Sequence, residues 1–114
     1  MIFFKNTVLD SEGKVIEFQA LDNDILLGEC TLVLGKKFAE VTKLSFNNDS
    51  PFAGEGLLKS AYNYGAIKNY YMAKCSVKGI DSLLLRLGFE IKDEEYITDI
   101  PTILMGSCGS CGNK

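Results

Sequence analysis

The chain contains no histidine among its 114 residues. This absence excludes catalytic triads and general bases built on histidine, and it removes the commonest ligand of catalytic zinc. Apolar runs are also short: none approaches the length of a membrane span, and the opening MIFFKN has no basic region before an apolar core. We therefore expect a cytoplasmic protein that has no membrane partner.

Positive charge is not in excess either, because 12 lysines and arginines face 15 aspartates and glutamates, for a net charge of −3. Such a balance disfavours a nucleic-acid partner, whose phosphates attract basic surfaces. An apolar content of 46% and a charged content of 24% are ordinary for a globular domain. We place one domain at residues 1–106 and a tail rich in Cys, Gly and Ser at residues 107–114.

The most informative stretch is Asn47–Val77, which reads as a polar loop, a glycine turn, a helix and a strand. Gly54 and Gly56 flank Glu55 where the helical pattern begins. The first turn of a helix has N–H groups without internal partners and a partial positive charge. Since glycine lets a bulky anion approach the backbone, the turn is a candidate phosphate cradle.

A different interpretation of the same residues places Ser50 as the N-cap and Pro51 as the first helical residue. The glycines would then lie inside the helix and bind nothing, and both interpretations stay open at this point. In the first, the helix runs from about Gly54 to Asn69. Its apolar face is formed by residues at helical spacing: Leu57, Leu58, Ala61, Tyr62 and Gly65.

Apolar runs bounded by turn clusters predict four strands before the helix, joined as an antiparallel meander. Gly28 inside the third strand indicates a bulge. A fifth strand follows the helix, and the unit they form is β-α-β. The five predicted strands are Ile2–Leu9, Val15–Leu21, Ile25–Leu34, Phe38–Phe46 and Tyr71–Val77.

The remainder of the chain predicts a short helix over Ile80–Leu87 with Gly88 as its C-cap. Two strands, Tyr96–Asp99 and Thr102–Met105, would then pair across the turn at Ile100-Pro101. No internal repeat is present in the sequence.

This order of elements resembles the GNAT superfamily of acyl-CoA N-acyltransferases. The matching residues are Phe52-Ala53-Gly54-Glu55-Gly56-Leu57-Leu58 at the loop and Leu87-Gly88-Phe89 after the second helix. The resemblance implies an α+β (α/β) fold, with a GNAT-like mixed, mostly antiparallel sheet, a central β-α-β unit and a second short helix.

The resemblance also implies a cofactor, acetyl-CoA, and a direct transfer of its acyl group to an amine. In the family a bulge splays the strand before the loop from the strand after the helix, and the pantetheine arm lies between them. Leu44 and Phe46 would line that arm. The pyrophosphate would be held at Phe52, Ala53, Gly54, Glu55, Gly56 and Leu57.

Glu40 is the candidate general base, because a direct transfer needs a deprotonated amine. Its spacing before Gly56 is similar to that of the base in the histone-acetylating branch of the family. The acceptor would be a small amine or a lysine. The acidic segment Glu90–Glu95 favours a cationic acceptor, although such a charge run is more often a solvated face.

Several positions depart from the family pattern. Pro51 stands where the family has Gln or Arg, Glu55 adds negative charge to the loop, and Leu84 stands where the family often has a tyrosine acid. The asparagine expected before the second helix is absent. Only a turn joins the first two strands, where the family has two helices, so the acceptor pocket would be open or completed by a second subunit in a homodimer.

Four cysteines remain to be placed. Cys30 and Cys75 lie in predicted strands and are expected to be buried. Cys108 and Cys111 form a C-x-x-C that can close a disulfide, bind a metal or belong to a disordered tail. They support an alternative function: a non-catalytic GNAT-like binding module in which the CGSC motif carries a metal or thiol redox function.

Overall fold

The computed structural model describes residues 2–47 and 51–109, with side chains for all of these except Pro51 and residues 106–109. Strands and helices follow each other in the order β1 (Ile2–Val8), β2 (Val15–Asp22), β3 (Ile25–Leu34), β4 (Phe38–Phe46), α1 (Pro51–Ile67), β5 (Met72–Cys75), α2 (Asp81–Arg86), β6 (Glu90–Lys92), β7 (Glu95–Asp99) and α3 (Ile100–Gly109).

The strands form one seven-stranded sheet in the order β1-β2-β3-β4-β5-β7-β6. Neighbouring strands are antiparallel except β4 and β5, which are parallel and connected through α1. The predicted mixed sheet, its four-stranded meander and its central β-α-β unit are thus confirmed. Strands β3 and β4 have the predicted bounds.

Short turns build the meander. Asn23 and Asp24 have positive φ angles of 51° and 72°, as the tight β2–β3 hairpin requires. Between β1 and β2, the Asp10 carboxylate accepts hydrogen bonds from the N–H groups of Lys14 and Val15 at 2.8 and 3.0 Å. These two hydrogen bonds close the β1–β2 connection, which contains no helix.

The core lies between the sheet and α1. Alternate residues of β2 and β3, such as Phe18 and Leu32, are buried against the helix. The predicted apolar face of α1 is confirmed, since Leu57, Leu58, Ala61 and Tyr62 are fully buried. A Cβ built on Gly65 would lie 3.0 Å from the Cβ of Ala39, so this glycine lets the helix lie close to β4.

The helix boundaries differ from the primary prediction. Helix α1 begins at Pro51, so Gly54 and Gly56 lie inside it, as the second interpretation proposed; Ser50 itself lies outside the described residues. At its other end, Asn69 adopts a φ of 75° and the N–H of Tyr70 bonds the carbonyl of Gly65 at 2.9 Å. This Schellman-type end stops the helix at Ile67, two residues before the predicted end.

Gly88 ends α2 in the same way, as predicted. Its φ is 102°, and the N–H of Phe89 bonds the carbonyl of Leu84 at 3.0 Å. The left-handed conformation is available to glycine without strain. The bulge predicted at Gly28 is confirmed next to it, because Ala20 faces Gly28 while Leu21 faces Leu26, which leaves Leu27 as the extra residue.

The predicted pairing of Tyr96–Asp99 with Thr102–Met105 is wrong. Strand β7 pairs with β6 instead, across Asp93 and Glu94, and residues from Ile100 onward form α3. The cause is the Asp99 side chain, which accepts a hydrogen bond from the N–H of Thr102 at 2.8 Å and caps the helix.

Asp99→Ala is expected to lower the free energy of unfolding by about 1 kcal/mol, because an N-cap is lost. Hydrogen bonds from Thr102 hold the pKa of the Asp99 carboxyl below its ordinary value of 3.8. The stabilisation is therefore complete above that value and is lost as pH falls through the lower, folded-state pKa. Thermal unfolding at several pH values checks this.

The difference between wild-type and Asp99→Ala should be constant near neutral pH and shrink below pH 3.8, the ordinary pKa of this carboxyl. Glu12→Gln, in the exposed β1–β2 turn, is the control and should behave like the wild type at neutral pH. A difference that does not change with pH would contradict the assigned role of the Asp99 carboxylate.

Helix α3 continues to Gly109, three residues into the segment that the sequence analysis assigned to the tail. The backbone of Cys108, the first cysteine of the C-x-x-C motif, lies in this helix. Its side chain and the whole of Cys111 lie outside what the structure describes. Within the described residues, no helix is both long and apolar enough to cross a membrane.

Candidate functional site

A bulge divides β4 into two parts. Val41 faces Leu32 of β3, whereas the next paired residue, Lys43, faces Thr31, so Thr42 is an extra residue in β4. An extra residue bends a strand and increases its local twist. The second part of β4 is thus turned relative to the first, next to the parallel neighbour β5.

The β4–β5 ladder ends at this bulge. Its last pair is Val41 with Cys75, and one further bond runs from the N–H of Ser76 to the carbonyl of Val41 at 3.1 Å. Strand β5 stops at Cys75, while β4 continues to Phe46, and none of the residues that the structure describes pairs with it on that side. We call the space between 42–46 and the chain after Cys75 the β4–β5 gap. The bulge that the resemblance implied is present, and the β4–β5 ladder ends at it.

The residues assigned to the cofactor lie along this gap and in the first two turns of α1. Leu44 and Phe46 are half-buried at the end of β4. Phe52 is 61% exposed, whereas Ala53 and Leu57 are fully buried in the core. A ligand can therefore meet the ring of Phe52, but it can meet Ala53 and Leu57 only through their backbone.

The two loop glycines make room for the protein's own rings. A Cβ on Gly54 would lie 2.6 Å from Cε1 of Phe46, and a Cβ on Gly56 would lie 2.4 Å from Cζ of Phe4. Their sheet-facing sides are thus filled. The first-turn N–H groups at the start of α1, where Pro51 has none to offer, are the donors that suit a phosphate. An acyl-CoA would have the open β4 edge and these N–H groups to bind at this place, and no open glycine cradle.

Glu55 does not bring an uncompensated negative charge to the loop. Its carboxylate lies 3.3 Å from the ammonium of Lys59 and 3.1 Å from the guanidinium of Arg86. Arg86 belongs to α2, so this contact joins α2 to α1. We call the three residues the Glu55 cluster. No local sequence pattern predicts its Arg86 contact, because Arg86 is 31 residues from Glu55 along the chain.

Glu40 lies on β4 two positions before the bulge residue Thr42, on the sheet face opposite α1, and it is half-buried. Its partner across the parallel ladder is Lys74 of β5. The Lys74 ammonium contacts the Glu95 carboxylate at 2.8 Å. A hydrogen bond from Lys74 to Glu95 raises the lysine's pKa, and the charges of Glu95 and Glu40 add to this. The cation is thus held mainly by Glu95.

A cleft of about 470 Å³ opens at the end of β5, next to the β4–β5 gap. In this cleft the Tyr96 hydroxyl donates a hydrogen bond to the neighbouring Asp81 carboxylate. Burial, together with Asp81, raises the pKa of Tyr96. No local sequence pattern predicts the cleft, since it joins residues 74–81 to residues 94–96. We call it the β5 cleft, and its lining residues are Lys74, Cys75, Ser76, Val77, Lys78, Gly79, Asp81, Glu94, Glu95 and Tyr96.

The strand cysteines are packing residues, as predicted. Cys30 and Cys75 are free thiols with 1% and 2% of their surfaces exposed. Burial raises the pKa of Cys30 to about 12 and also raises the pKa of Cys75. Both thiols stay protonated near neutral pH, so neither is an activated nucleophile.

Tyr62 fixes the end of β5 from the core side. It is fully buried, and its hydroxyl donates a hydrogen bond to the carbonyl of Lys74 at 2.6 Å. Burial raises the pKa of this hydroxyl well above its ordinary value, so it remains a donor.

In the described part of the chain, no group of three or more carboxylates and thiols is placed to hold a metal ion.

Comparisons with known proteins give structural neighbours only. No protein-family model matches the chain, and no curated protein sequence matches it. A protein from Desulfovibrio desulfuricans described as an acetyltransferase of the GNAT family superposes with a TM-score of 0.72 and 8% identity, over 88% of this chain and 99% of its own.

Two further neighbours are similar. The PaiA N-acetyltransferase from Thermoplasma acidophilum, solved in complex with coenzyme A, has a TM-score of 0.65 and 19% identity over 75% of this chain and 60% of its own. The aminoglycoside 6′-N-acetyltransferase from Enterococcus faecium has a TM-score of 0.66 and 11% identity over 76% and 73%. Together with the bulged β4 and the open β4–β5 ladder, these neighbours show that the chain has the GNAT fold of the acyl-CoA N-acyltransferases.

Proposed function

We propose that this chain is an N-acetyltransferase that transfers an acetyl group from acetyl-CoA directly to an amine. The single observation that carries the proposal is the β4–β5 gap. A free strand edge in the middle of a sheet leaves backbone N–H and C=O groups without partners, and an amide-bearing arm such as pantetheine supplies such partners. One neighbour with the same fold was solved in complex with coenzyme A, which supports the assignment.

Different residues of the site would bind different parts of the cofactor. Leu44 and Phe46, at the end of β4, provide apolar contact for the arm. The backbone from Phe52 to Leu57 lies at the start of α1, where the helix favours the negative pyrophosphate. When bound, acetyl-CoA supplies a thioester carbonyl that an amine can attack.

The acceptor would enter from the β5 cleft. This cleft carries three carboxylates, Asp81, Glu94 and Glu95, and the last is already paired with Lys74. A small amine or a lysine arrives as a cation and suits this lining. Glu40, on the neighbouring strand, would accept the proton that the acceptor must lose, directly or through one water.

Calorimetric titration of acetyl-CoA into the reduced protein tests the proposal. We expect one site per chain with a Kd in the micromolar range, between about 1 and 100 μM, which is ordinary for a cofactor of this kind. Metal analysis of the same sample tests the alternative that the CGSC motif binds a metal.

Pantetheine and 3′-phospho-ADP, titrated separately, are the matched ligands, because each is one half of the cofactor. Weak binding of each half and tight binding of the whole would support a site that spans the β4–β5 gap and the start of α1. An absence of heat with acetyl-CoA added to about 1 mM, well above the Kd expected of such a site, would reject the proposed function.

A further inference from the structure

The Glu55 cluster holds more positive than negative charge. Glu55 and Lys59 lie one turn apart on α1, and Arg86 reaches the same carboxylate from α2. The two cations use different oxygens of the carboxylate, Oε2 for Lys59 and Oε1 for Arg86. One anion therefore serves two cations, and the cluster keeps a net charge of one positive unit.

These ion pairs are open to competition. The side chains of Glu55 and Lys59 are each 25% exposed, and that of Arg86 is 63% exposed. Water screens such pairs, so each contributes little to stability and exchanges its partner easily. A phosphate is a stronger competitor than a carboxylate, because it has more negative charge and accepts a bidentate pair from arginine.

The cluster is also close to the proposed cofactor site. Glu55 is the fifth residue of α1, so its Cα is roughly one helical turn from the first-turn N–H groups of the helix. Arg86 contacts the Glu55 carboxylate directly, so its guanidinium lies beside the second turn of α1, next to the turn that carries those groups. A polyphosphate bound at the N-terminal turn can therefore reach the guanidinium.

We infer that Arg86 and Lys59 bind a phosphate of the CoA cofactor and that Glu55 is the internal anion they release on binding. The inference rests on the proposed function and adds the residues that recognise the cofactor's charge. Glu55 acts as a competitor: it neutralises the cations in the free protein, and its loss from the cluster is part of the cost of cofactor binding. The negative residue in the loop thus lowers the affinity for CoA without abolishing the site.

The test is calorimetric binding of CoA, with pantetheine as the ligand that lacks phosphate. Arg86→Gln should weaken CoA binding about tenfold, because one charge-assisted contact is lost. Glu55→Gln should tighten it about fivefold, because the competitor is removed while the side-chain size is kept. Neither change should alter the affinity for pantetheine. Lys36→Gln, which removes an exposed lysine in the β3–β4 turn at the other end of β4, should leave CoA binding unchanged.

A purely structural ion pair gives the opposite result. Glu55→Gln and Arg86→Gln would then lower the thermal midpoint and leave the affinity for CoA unchanged, and this would overturn the inference. If Glu55→Gln weakens binding, the inference is overturned as well. The proposed function is tested separately by the wild-type chain. If the wild type binds CoA and both Arg86→Gln and Glu55→Gln bind it equally well, only the role of the Glu55 cluster is rejected, whereas an absence of wild-type binding rejects both.

Discussion

Replacing Glu40 by Gln is expected to lower the rate of acetyl transfer about a hundredfold while leaving the affinity for acetyl-CoA unchanged. Loss of a general base typically costs a factor of this order or more. Gln keeps the shape of the side chain but cannot accept a proton. The measurement is the rate of free-thiol release from acetyl-CoA with an amine acceptor, together with a calorimetric Kd for the same variant.

Glu40 suits this role through its position and not through a pocket of its own. It is half-buried on β4, two positions before the bulge at Thr42, and its strand partner Lys74 lines the β5 cleft. Because Lys74 is paired with Glu95 at 2.8 Å, the Glu40 carboxylate is not the main partner of that cation.

Glu17→Gln is the matched control, because Glu17 is a half-buried glutamate on β2 of the same sheet face, two strands away from β4. It should keep the wild-type rate. Equal rates for Glu40→Gln, Glu17→Gln and the wild type would show that Glu40 is not the base. A Glu40→Gln variant that loses both rate and cofactor binding would point to a positional defect in β4 instead.

The strands and the main helix could be predicted from the sequence because their patterns are local. Alternating burial in β2 and the 3.6-residue spacing of Leu57, Ala61 and Tyr62 are read from neighbouring residues. The end of α2 at Gly88 is local too, since only one residue has to take a left-handed conformation. The fold class followed from the order of these elements.

Helix α3 was missed because the short apolar run Ile103-Leu104-Met105 is ambiguous between strand and helix. Two local features decide it: Asp99 three residues before Thr102, and Pro101 in the first turn. Pro101 was taken as part of a turn, although proline is also favoured in the first turn of a helix.

The candidate site was only partly predictable. Glycines at positions 54 and 56 indicate a close approach, but the sequence does not say what approaches; the structure places the rings of Phe46 and Phe4 there. The β5 cleft and the Arg86–Glu55 contact depend on residues that are distant along the chain, so no local pattern contains them.

Gly28 supports the same site from the neighbouring strand, and Gly28→Ala is expected to lower the free energy of unfolding by about 2 kcal/mol. A Cβ at this position would lie 2.7 Å from the carbonyl oxygen of Ser45 and 2.8 Å from the Cβ of Phe46. Neither atom can rotate away, so β3 and the end of β4 must separate. This cost exceeds the small gain that alanine usually brings over glycine in a strand. Urea unfolding of both proteins measures it.

The same separation should weaken acetyl-CoA binding, because Ser45 and Phe46 belong to the part of β4 that borders the β4–β5 gap. Gly35→Ala is the control: its Cβ would come no closer than 3.4 Å, to the carbonyl oxygen of Phe38, and its stability should stay within about 0.5 kcal/mol of wild type. If Gly28→Ala is as stable as Gly35→Ala, β3 and β4 do not approach as closely at Gly28 as described. If it is unstable but binds acetyl-CoA normally, the end of β4 is not part of the cofactor site.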